Sequence, residues 1–318
     1  MMTQIKIPLL DSKTVLENIK NQKNPFWSQY HAYFSTWLGG ITKDPALMLL
    51  PMDDHMVHRG DGVFEAIKTV NRKVFLLKEH LARLARSAAS IGLKLPFEIE
   101  KIEDIILQTL KVADRDQTLI RLFVSRGPGS YTTNPYDPVG SQLYITITDL
   151  ILPKASLYET GVRIGRSQIP VKESWMAQVK SCNYLPNVMM KKEALDRKLD
   201  FVVAFDRQNF LAESSTENIA ILDVNGILVH PNFESILKGT TMIRTFELAK
   251  KNGLPIEQRN LRDSDIQQAQ EVFMIGTTLD VLPVVQFENT LIGNGLPGPV
   301  SQHLNKLLKE EIDRGIAF

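Results

Sequence analysis

The 318 residues are 43% apolar with a formal charge of +1, an ordinary globular make-up with enough chain for two domains and their cores. That balance gives no electrostatic case for a nucleic-acid or anionic-membrane partner, and no apolar run approaches a membrane span. The single Cys182 rules out an internal disulfide, which suits the reducing cytoplasm as the expected compartment. The first ten residues, broken by Thr3, Gln4, Lys6 and Pro8, do not read as a signal peptide. Residues 1–30 read as an extension: Thr14 and Glu17 have capping-box spacing for a short helix through Lys20, and Phe26, Trp27 and Tyr30 favour a packing arm. Strand-like runs follow over 32–38 and 46–50, with Gly39, Gly40 and Pro45 marking a turn. Residues 62–77 form a hairpin about Asn71-Arg72, with Val63, Glu65 and Ile67 alternating with Phe64, Ala66 and Lys68. The helix predicted over 78–91 carries Arg83, puts Leu81, Leu84, Ala85 and Ala88 on one face, and stops at Gly92. A second helix covers 99–112, and strands cover 118–125 and 142–148. The Gly/Pro-rich loop between those strands, 126–138, is of the kind that lines ligand sites.

Residues 149–156, with Pro153, read as a linker between a small domain, 31–149, and a large one, 157–318. Beyond it, strands are predicted over 162–169 and 171–180, the second ending in Lys180, and a helix over 187–199. Strands 201–205 and 209–212 pair, and 219–224 and 227–230 form a hairpin about Asn225-Gly226. A helix over 240–251, a strand over 255–259, a short helix over 264–269 and a buried strand over 271–275 follow. A hairpin of 282–287 with 291–292 and an amphipathic helix over 299–314 complete the pattern. Strands and helices mix in both halves, so the class is α/β (α+β).

Lys180 is one lysine among many, and by residue type alone it is a solvated charge. A lysine whose stem is pinned by a sheet, beside Asn183 and Tyr184, is also what Schiff-base chemistry needs: a fixed stem and partial desolvation. Three blocks follow it: 212–219 with Glu213, Ser215 and Thr216; 236–241 with Leu237, Gly239, Thr240 and Thr241; and 273–278 with Gly276, Thr277 and Thr278. Two earlier blocks, 53–65 and 79–84, precede it. The six blocks in this order resemble the class IV (fold-type IV) aminotransferases that use pyridoxal 5'-phosphate, over about residues 33–307. That family includes branched-chain aminotransferases, D-amino acid aminotransferases and 4-amino-4-deoxychorismate lyases. The early block, with 34–40 and 45–51, is most similar in wording to plant-type D-amino acid transaminases.

The resemblance implies two mixed domains with the cofactor in the cleft between them, a homodimer, and ping-pong exchange between an amino acid and a 2-oxo acid. It implies Lys180 as the residue that holds the cofactor and shuttles the proton, and Glu213 as the carboxylate facing the pyridine nitrogen. It implies Arg83 as the phosphate arginine, Leu237 against the ring face and Tyr184 near a cofactor oxygen. Ser215, Thr216, Gly239, Thr240, Thr241, Gly276 and Thr277 complete the implied cofactor set. The guanidinium fork suits a phosphate dianion, and a helix beginning at Gly239-Thr240-Thr241 offers backbone N–H groups at its positive end. His55 and His58 beside Asp53 and Asp54 have metal-ligand spacing, but no further His or Cys cluster supports them and no metal is expected.

The departures concern the substrate. Bacillus-type D-amino acid aminotransferases carry an arginine and a histidine soon after the strand-end Arg-Gly; here Arg126-Gly127 is followed by residues 128–133 with neither. Phe64 stands in place of a tyrosine and also suits branched-chain enzymes. Met242 stands where other members have arginine after Gly-Ile-Thr. A carboxylate in a dry pocket needs charged or multiple backbone partners. The candidates are Arg121, Arg126, His55, Lys68 and the N–H groups of Thr277 and Thr278, with Phe64, Arg126 and Thr278 as the expected substrate-binding residues. The run 125–129 is reminiscent of the lyase branch. The expected function is a D-amino acid transaminase; the alternatives are the lyase, which eliminates pyruvate, and an L-branched-chain transaminase.

Overall fold

The computed structural model describes residues 7–172 and 174–318. The start of the segment read against a signal peptide, residues 1–6, and Glu173 of the predicted lysine strand lie outside the described residues.

Helix α1 (Ser12–Asn21) is capped by Asp11, which accepts from the Thr14 N–H at 2.8 Å, so the cap lies ahead of the box predicted at Thr14. None of its residues is buried. A first sheet then forms from β1 (Tyr30–Ser35), β2 (Gly40–Thr42), β3 (Gly62–Val70), β4 (Lys73–Val74), β5 (Thr118–Ser125) and β6 (Gln142–Thr148). Its order is Ile316–Ala317, β4, β3, β5, β6, β1, β2, antiparallel throughout. The strand predicted over 46–50 is instead a 3-10 turn, Pro45–Leu47: Asp44 accepts from the Ala46 N–H, and Pro45 favours a turn start. One turn of helix, α2 (His55–Arg59), closes on Gly60 at φ +67. Helices α3 (Leu77–Ser90) and α4 (Ile99–Ala113) pack on one face of this sheet, burying Leu81, Leu84, Ile102, Ile106 and Leu110 against Val63, Ile67 and Ile120. Each such side chain contributes about 1.5–3 kcal/mol by leaving water.

Helix α5 (Ala155–Thr160) leads into a second, mixed sheet. Its elements are β7 (Val162–Arg166), α6 (Leu185–Asp196), β8 (Phe201–Phe205), β9 (Leu211–Ser214), β10 (Asn218–Leu222), β11 (Leu228–His230), α7 (Thr240–Lys251) and β12 (Ile256–Gln258). They continue with α8 (Asp263–Gln268), β13 (Glu271–Gly276), β14 (Asp280–Phe287), β15 (Thr290–Leu291), α9 (Pro299–Ile312) and β16 (Ile316–Ala317). The order is β12, β11, β10, β13, β14, β7, β8, β9, with β15 on β14. The strand predicted over 171–180 is a correction. Its centre is a 3-10 turn, Ser174–Gln178, with Ser174 at φ +58 and Trp175 and Met176 exposed. Pairing begins at its last residue: the Lys180 C=O accepts from the Phe64 N–H, and Ser181, just beyond it, bridges Val63. The strand predicted over 209–212 starts later, at Leu211, because Asn209 takes φ +60 in the preceding turn; Glu213 therefore lies in β9. The chain crosses back at its end: β16, after α9 on the second sheet, completes the edge of the first.

Candidate active site

Lys180 is clamped from both sides. Its N–H donates to Ser87 Oγ of α3 at 3.2 Å, and its C=O accepts from the Phe64 N–H of β3 at 3.0 Å. The Cys182 N–H donates to the Gly62 C=O at 2.9 Å, so the lysine's stem is fixed by the first sheet while its amine reaches the boundary with the second. Nζ lies 4.6 Å from the Phe64 ring centroid and 6.0 Å from that of Tyr184, and has no hydrogen-bonded or ion-paired partner among the described residues. Burial, helped by the Arg83 charge, lowers its pKa to about 8.

Helix α3 supplies more than Arg83. Its buried face carries His80, Arg83 and Ser87 within a leucine and alanine surround. Glu65 of β3, fully buried, accepts from Arg83 Nε at 2.8 Å, from Arg83 Nη2 at 2.7 Å and from His80 Nδ1 at 2.7 Å. Burial pushes the Glu65 carboxyl up, but Arg83 and His80 together outweigh it and bring it to about 2. His80 is pushed down by burial, so it is neutral. Its Nδ1 faces the carboxylate and carries the proton, which leaves Nε2 to accept from Thr240 Oγ1 at 3.1 Å. The network fixes the Arg83 fork through Nε and Nη2, while Nη1 donates to the Lys238 C=O at 3.2 Å, and Arg83 lines the cavity.

Glu213 Oε2 accepts from the Leu237 N–H at 3.0 Å. Burial raises its pKa to about 7, with Leu237, Lys180 and Lys172 pulling the other way. Tyr184 packs edge-on against Phe64, centroids 5.0 Å apart, and Phe64 stacks on Phe123 at 5.8 Å. Helix α7 starts at Gly239, which offers no side-chain cap, so its first N–H groups face the cavity uncapped. A Cβ on Gly239 would collide with Asn218 Oδ1, while Asn218 Nδ2 donates to the Leu237 C=O at 2.9 Å.

All twelve residues expected to bind the cofactor line one cavity: Arg83, Lys180, Tyr184, Glu213, Ser215, Thr216, Leu237, Gly239, Thr240, Thr241, Gly276 and Thr277. Two polar atoms on residues lining it, Thr241 Oγ1 and Asn187 Oδ1, are buried without a hydrogen-bond partner among the described residues. Such orphans cost roughly 1–3 kcal/mol each unless a ligand satisfies them. An unpaired lysine, an uncapped helix start beside an arginine, and a carboxylate poised near neutrality fit the aldehyde, phosphate and ring nitrogen of pyridoxal phosphate. Glu65, His80, Ser87 and Asn218 were not singled out from the sequence. Glu65 had a signal, since it shares the strand parity of Val63 and Ile67, and a carboxylate on a core face needs a cation.

The substrate candidates separate. Phe64 and Thr278 line a second chamber of about 280 Å³, which shares Lys180, Tyr184 and Thr277 with the cofactor cavity. Arg126 does not reach it: its guanidinium holds Asp61 at 2.6 and 2.9 Å and the Ile91 and Gly92 carbonyls at 2.9 and 3.2 Å. His55 is buried and donates to the Ser130 C=O at 2.9 Å, and Lys68 is paired with Asp280. That leaves Arg121, which lines this chamber and an outer one of about 610 Å³, and has no partner among the described residues. No group of three or more His, Cys, Asp or Glu residues suited to a metal occurs among the described residues.

Comparison with known proteins agrees with this geometry. The chain is 35% identical, over 97% of its length and 83% of the relative's, to a D-amino-acid transaminase, chloroplastic, of Arabidopsis thaliana. It is 34% identical, over 86% of its length and 95% of the relative's, to a putative branched-chain-amino-acid aminotransferase of Methanocaldococcus jannaschii. Among solved structures, the T.th. branched-chain amino acid aminotransferase with pyridoxamine 5'-phosphate superposes with a TM-score of 0.84 at 23% identity, covering 89% of this chain and 94% of that one, which shows the shared fold. The family model for amino-transferase class IV matches residues 62–287, from the start of β3 to the end of β14, and this chain belongs to that family.

Proposed function

We propose that this transaminase moves the amino group of a D-amino acid, such as D-alanine, to a 2-oxo acid. The cofactor is pyridoxal 5'-phosphate, as in the class IV family; the D-substrate is our reading, supported by the Arabidopsis relative. One observation carries the residue roles: a Lys180 amine with its pKa near 8, unpaired among the described residues, opens on the same cavity as the half-buried Glu213.

When bound, the cofactor supplies an aldehyde that an amino group can join and a protonated ring that takes up the electron pair released at a substrate Cα. Lys180 Nζ anchors it and then serves as the base for the Cα proton, since its lowered pKa leaves part of it neutral at working pH. Glu213 spends Oε2 on the Leu237 N–H and keeps Oε1 to accept from a ring N–H. Arg83 Nη1, Thr241 Oγ1 and the first N–H groups of α7 hold the phosphate dianion. Leu237 keeps water from one ring face, and Phe64 and Tyr184 wall the substrate side. Arg121 receives a substrate carboxylate. Amino donor and oxo acceptor use this one cavity in turn, which makes the exchange ping-pong.

The outer chamber of about 610 Å³, joined to the substrate chamber at Arg121, favours a second reading. It has room for a ring-bearing acid, as the 4-amino-4-deoxychorismate lyase activity requires. We also read the chain as two domains, 31–149 and 157–318, paired in a cytoplasmic homodimer. Exposed Leu50 and Ile151, which line the outer chamber, support the pairing, and sedimentation of a fully active monomer would count against it. Among the described residues no helix is long and apolar enough to cross a membrane.

The test is the visible absorbance of the cofactor-loaded protein on adding D-alanine, with L-leucine and aminodeoxychorismate in parallel. Bleaching by D-alanine alone is expected. Bleaching by L-leucine alone would move the chain to the branched-chain group, and pyruvate release from aminodeoxychorismate with neither amino acid active would establish the lyase.

A further inference from the structure

Lys68 is 1% exposed, and its ammonium pairs with Asp280 and lies 5.0 Å from the Phe75 ring centroid. It sits on β3 two residues beyond Ala66, on the strand parity of Phe64 and Ala66, which line the substrate chamber. Asp280 opens β14 with φ +53, in the left-handed region that Asp adopts more readily than most residues other than glycine. It closes the turn 276–280, whose tip carries Thr277 and Thr278. Two other side chains grip that turn: Tyr158 OH donates to the Leu279 C=O at 2.9 Å, and Asn305 Oδ1 accepts from the Val281 N–H at 3.1 Å. Those come from α5 and α9, on the side of the second sheet, whereas Lys68 belongs to the first.

A buried ion pair adds little net stability over an apolar pair of the same volume. What it adds is a fixed attachment: parting the two groups would leave an uncompensated buried charge, so they are held in contact, whereas an apolar contact slides. We infer that Lys68 and Asp280 are a positioning pair, which locks the Thr277-Thr278 turn of the second sheet against the Phe64 and Arg121 face of the first. The pair thereby sets the spacing of the chamber that receives phosphate on one side and substrate carboxylate on the other. The inference rests on the proposed roles of Thr277 and Thr278 and not on the choice of a D-substrate.

The experiment compares Lys68→Met, Asp280→Asn and the double variant Lys68→Met/Asp280→Leu with the parent. Three quantities are read: Tm, the dissociation constant of the apoprotein for pyridoxal phosphate, and KM against kcat for D-alanine. The double variant leaves no unpaired charge, so it is expected to keep the parent's Tm. It is nevertheless expected to bind the cofactor more weakly and to raise KM roughly tenfold with a smaller change in kcat, because losing one well-placed hydrogen bond to a charged group has about that cost in binding. Parent-like cofactor affinity and KM in the double variant would overturn the positioning role and leave a purely structural pair, whether or not the single variants fold. The cofactor titration needs no substrate, so inactivity of the parent with D-alanine, which would sink the D-amino acid reading, cannot be mistaken for failure of this one.

Discussion

At the scale of single residues the site is a set of displaced proton affinities. The Lys180 amine, lowered to about 8 by burial and by Arg83, is protonated below that pH and nucleophilic above it. Stopped-flow capture of pyridoxal phosphate by the apoprotein should therefore speed up as pH rises through about 8 and then level off. Replacing Arg83 by Gln should move that midpoint upward, and a midpoint that stays put would show that Arg83 does not act on the amine. Glu65 runs the other way. Its carboxyl is held at about 2 against an ordinary 4.5, so its contribution is complete above the unfolded value and is lost as pH falls toward 2. That difference corresponds to roughly 3 kcal/mol. Glu65→Gln should lower Tm at neutral pH, and the gap to the parent should close as pH drops from about 4.5 toward 2; a gap independent of pH would mean that Glu65 is not ionised in the fold.

At the scale of elements, α3 and α7 do the positioning. Helix α3 presents His80, Arg83 and Ser87 on its buried face, so one helix sets the arginine proposed to hold the phosphate and clamps the lysine backbone. Helix α7 brings its start to the cavity only because Gly239 leaves room for Asn218. Gly239→Ala should push Asn218 away and with it Leu237, whose N–H holds Glu213. Equilibrium dialysis should then show cofactor affinity reduced on the order of tenfold; unchanged affinity would mean that the loop before α7 absorbs the methyl group. The run 171–180 shows the limit of local pattern. It reads as a strand in the sequence, yet the backbone turns at Ser174 and, among the described residues, pairs only from Lys180 onward, because the free edge it meets is the start of β3.

At the scale of the whole molecule, the cavity exists only where the two sheets meet. Lys180 is tied to the first sheet through Phe64, and Glu213 lies in β9 of the second. The crossing at 316–318 reinforces that meeting. Ile316 and Phe318 pack against the core of the first sheet, the Phe318 N–H donates to the Arg72 C=O at 3.3 Å, and the Arg72 guanidinium lies 5.2 Å from the Phe318 ring centroid. Replacing Ile316 and Phe318 together by alanine should cost about 2–4 kcal/mol, less than full burial would imply because both are only partly buried. Calorimetry should show the loss as a lower Tm, with cofactor affinity falling alongside it; a lower Tm with unchanged affinity would separate this strap from the cleft.

The sequence by itself determined the mixed class, most of the elements and a set of residues that come to line one cavity. Those depend on short-range properties: periodicity along a strand or helix, glycine at turns, and blocks of fixed order around Lys180, Glu213 and Thr240. It could also have flagged Glu65, whose place on an apolar strand face requires a cation. Only the tertiary structure decided which cations were available. Arg126 looked free in the sequence, but Asp61, 65 residues earlier, occupies it, and Asp280, 212 residues later, occupies Lys68. Arg121 has no ion-pair partner among the described residues once the sheets are assembled. Pairing between groups so far apart is set by how the sheets pack, and no local pattern encodes it.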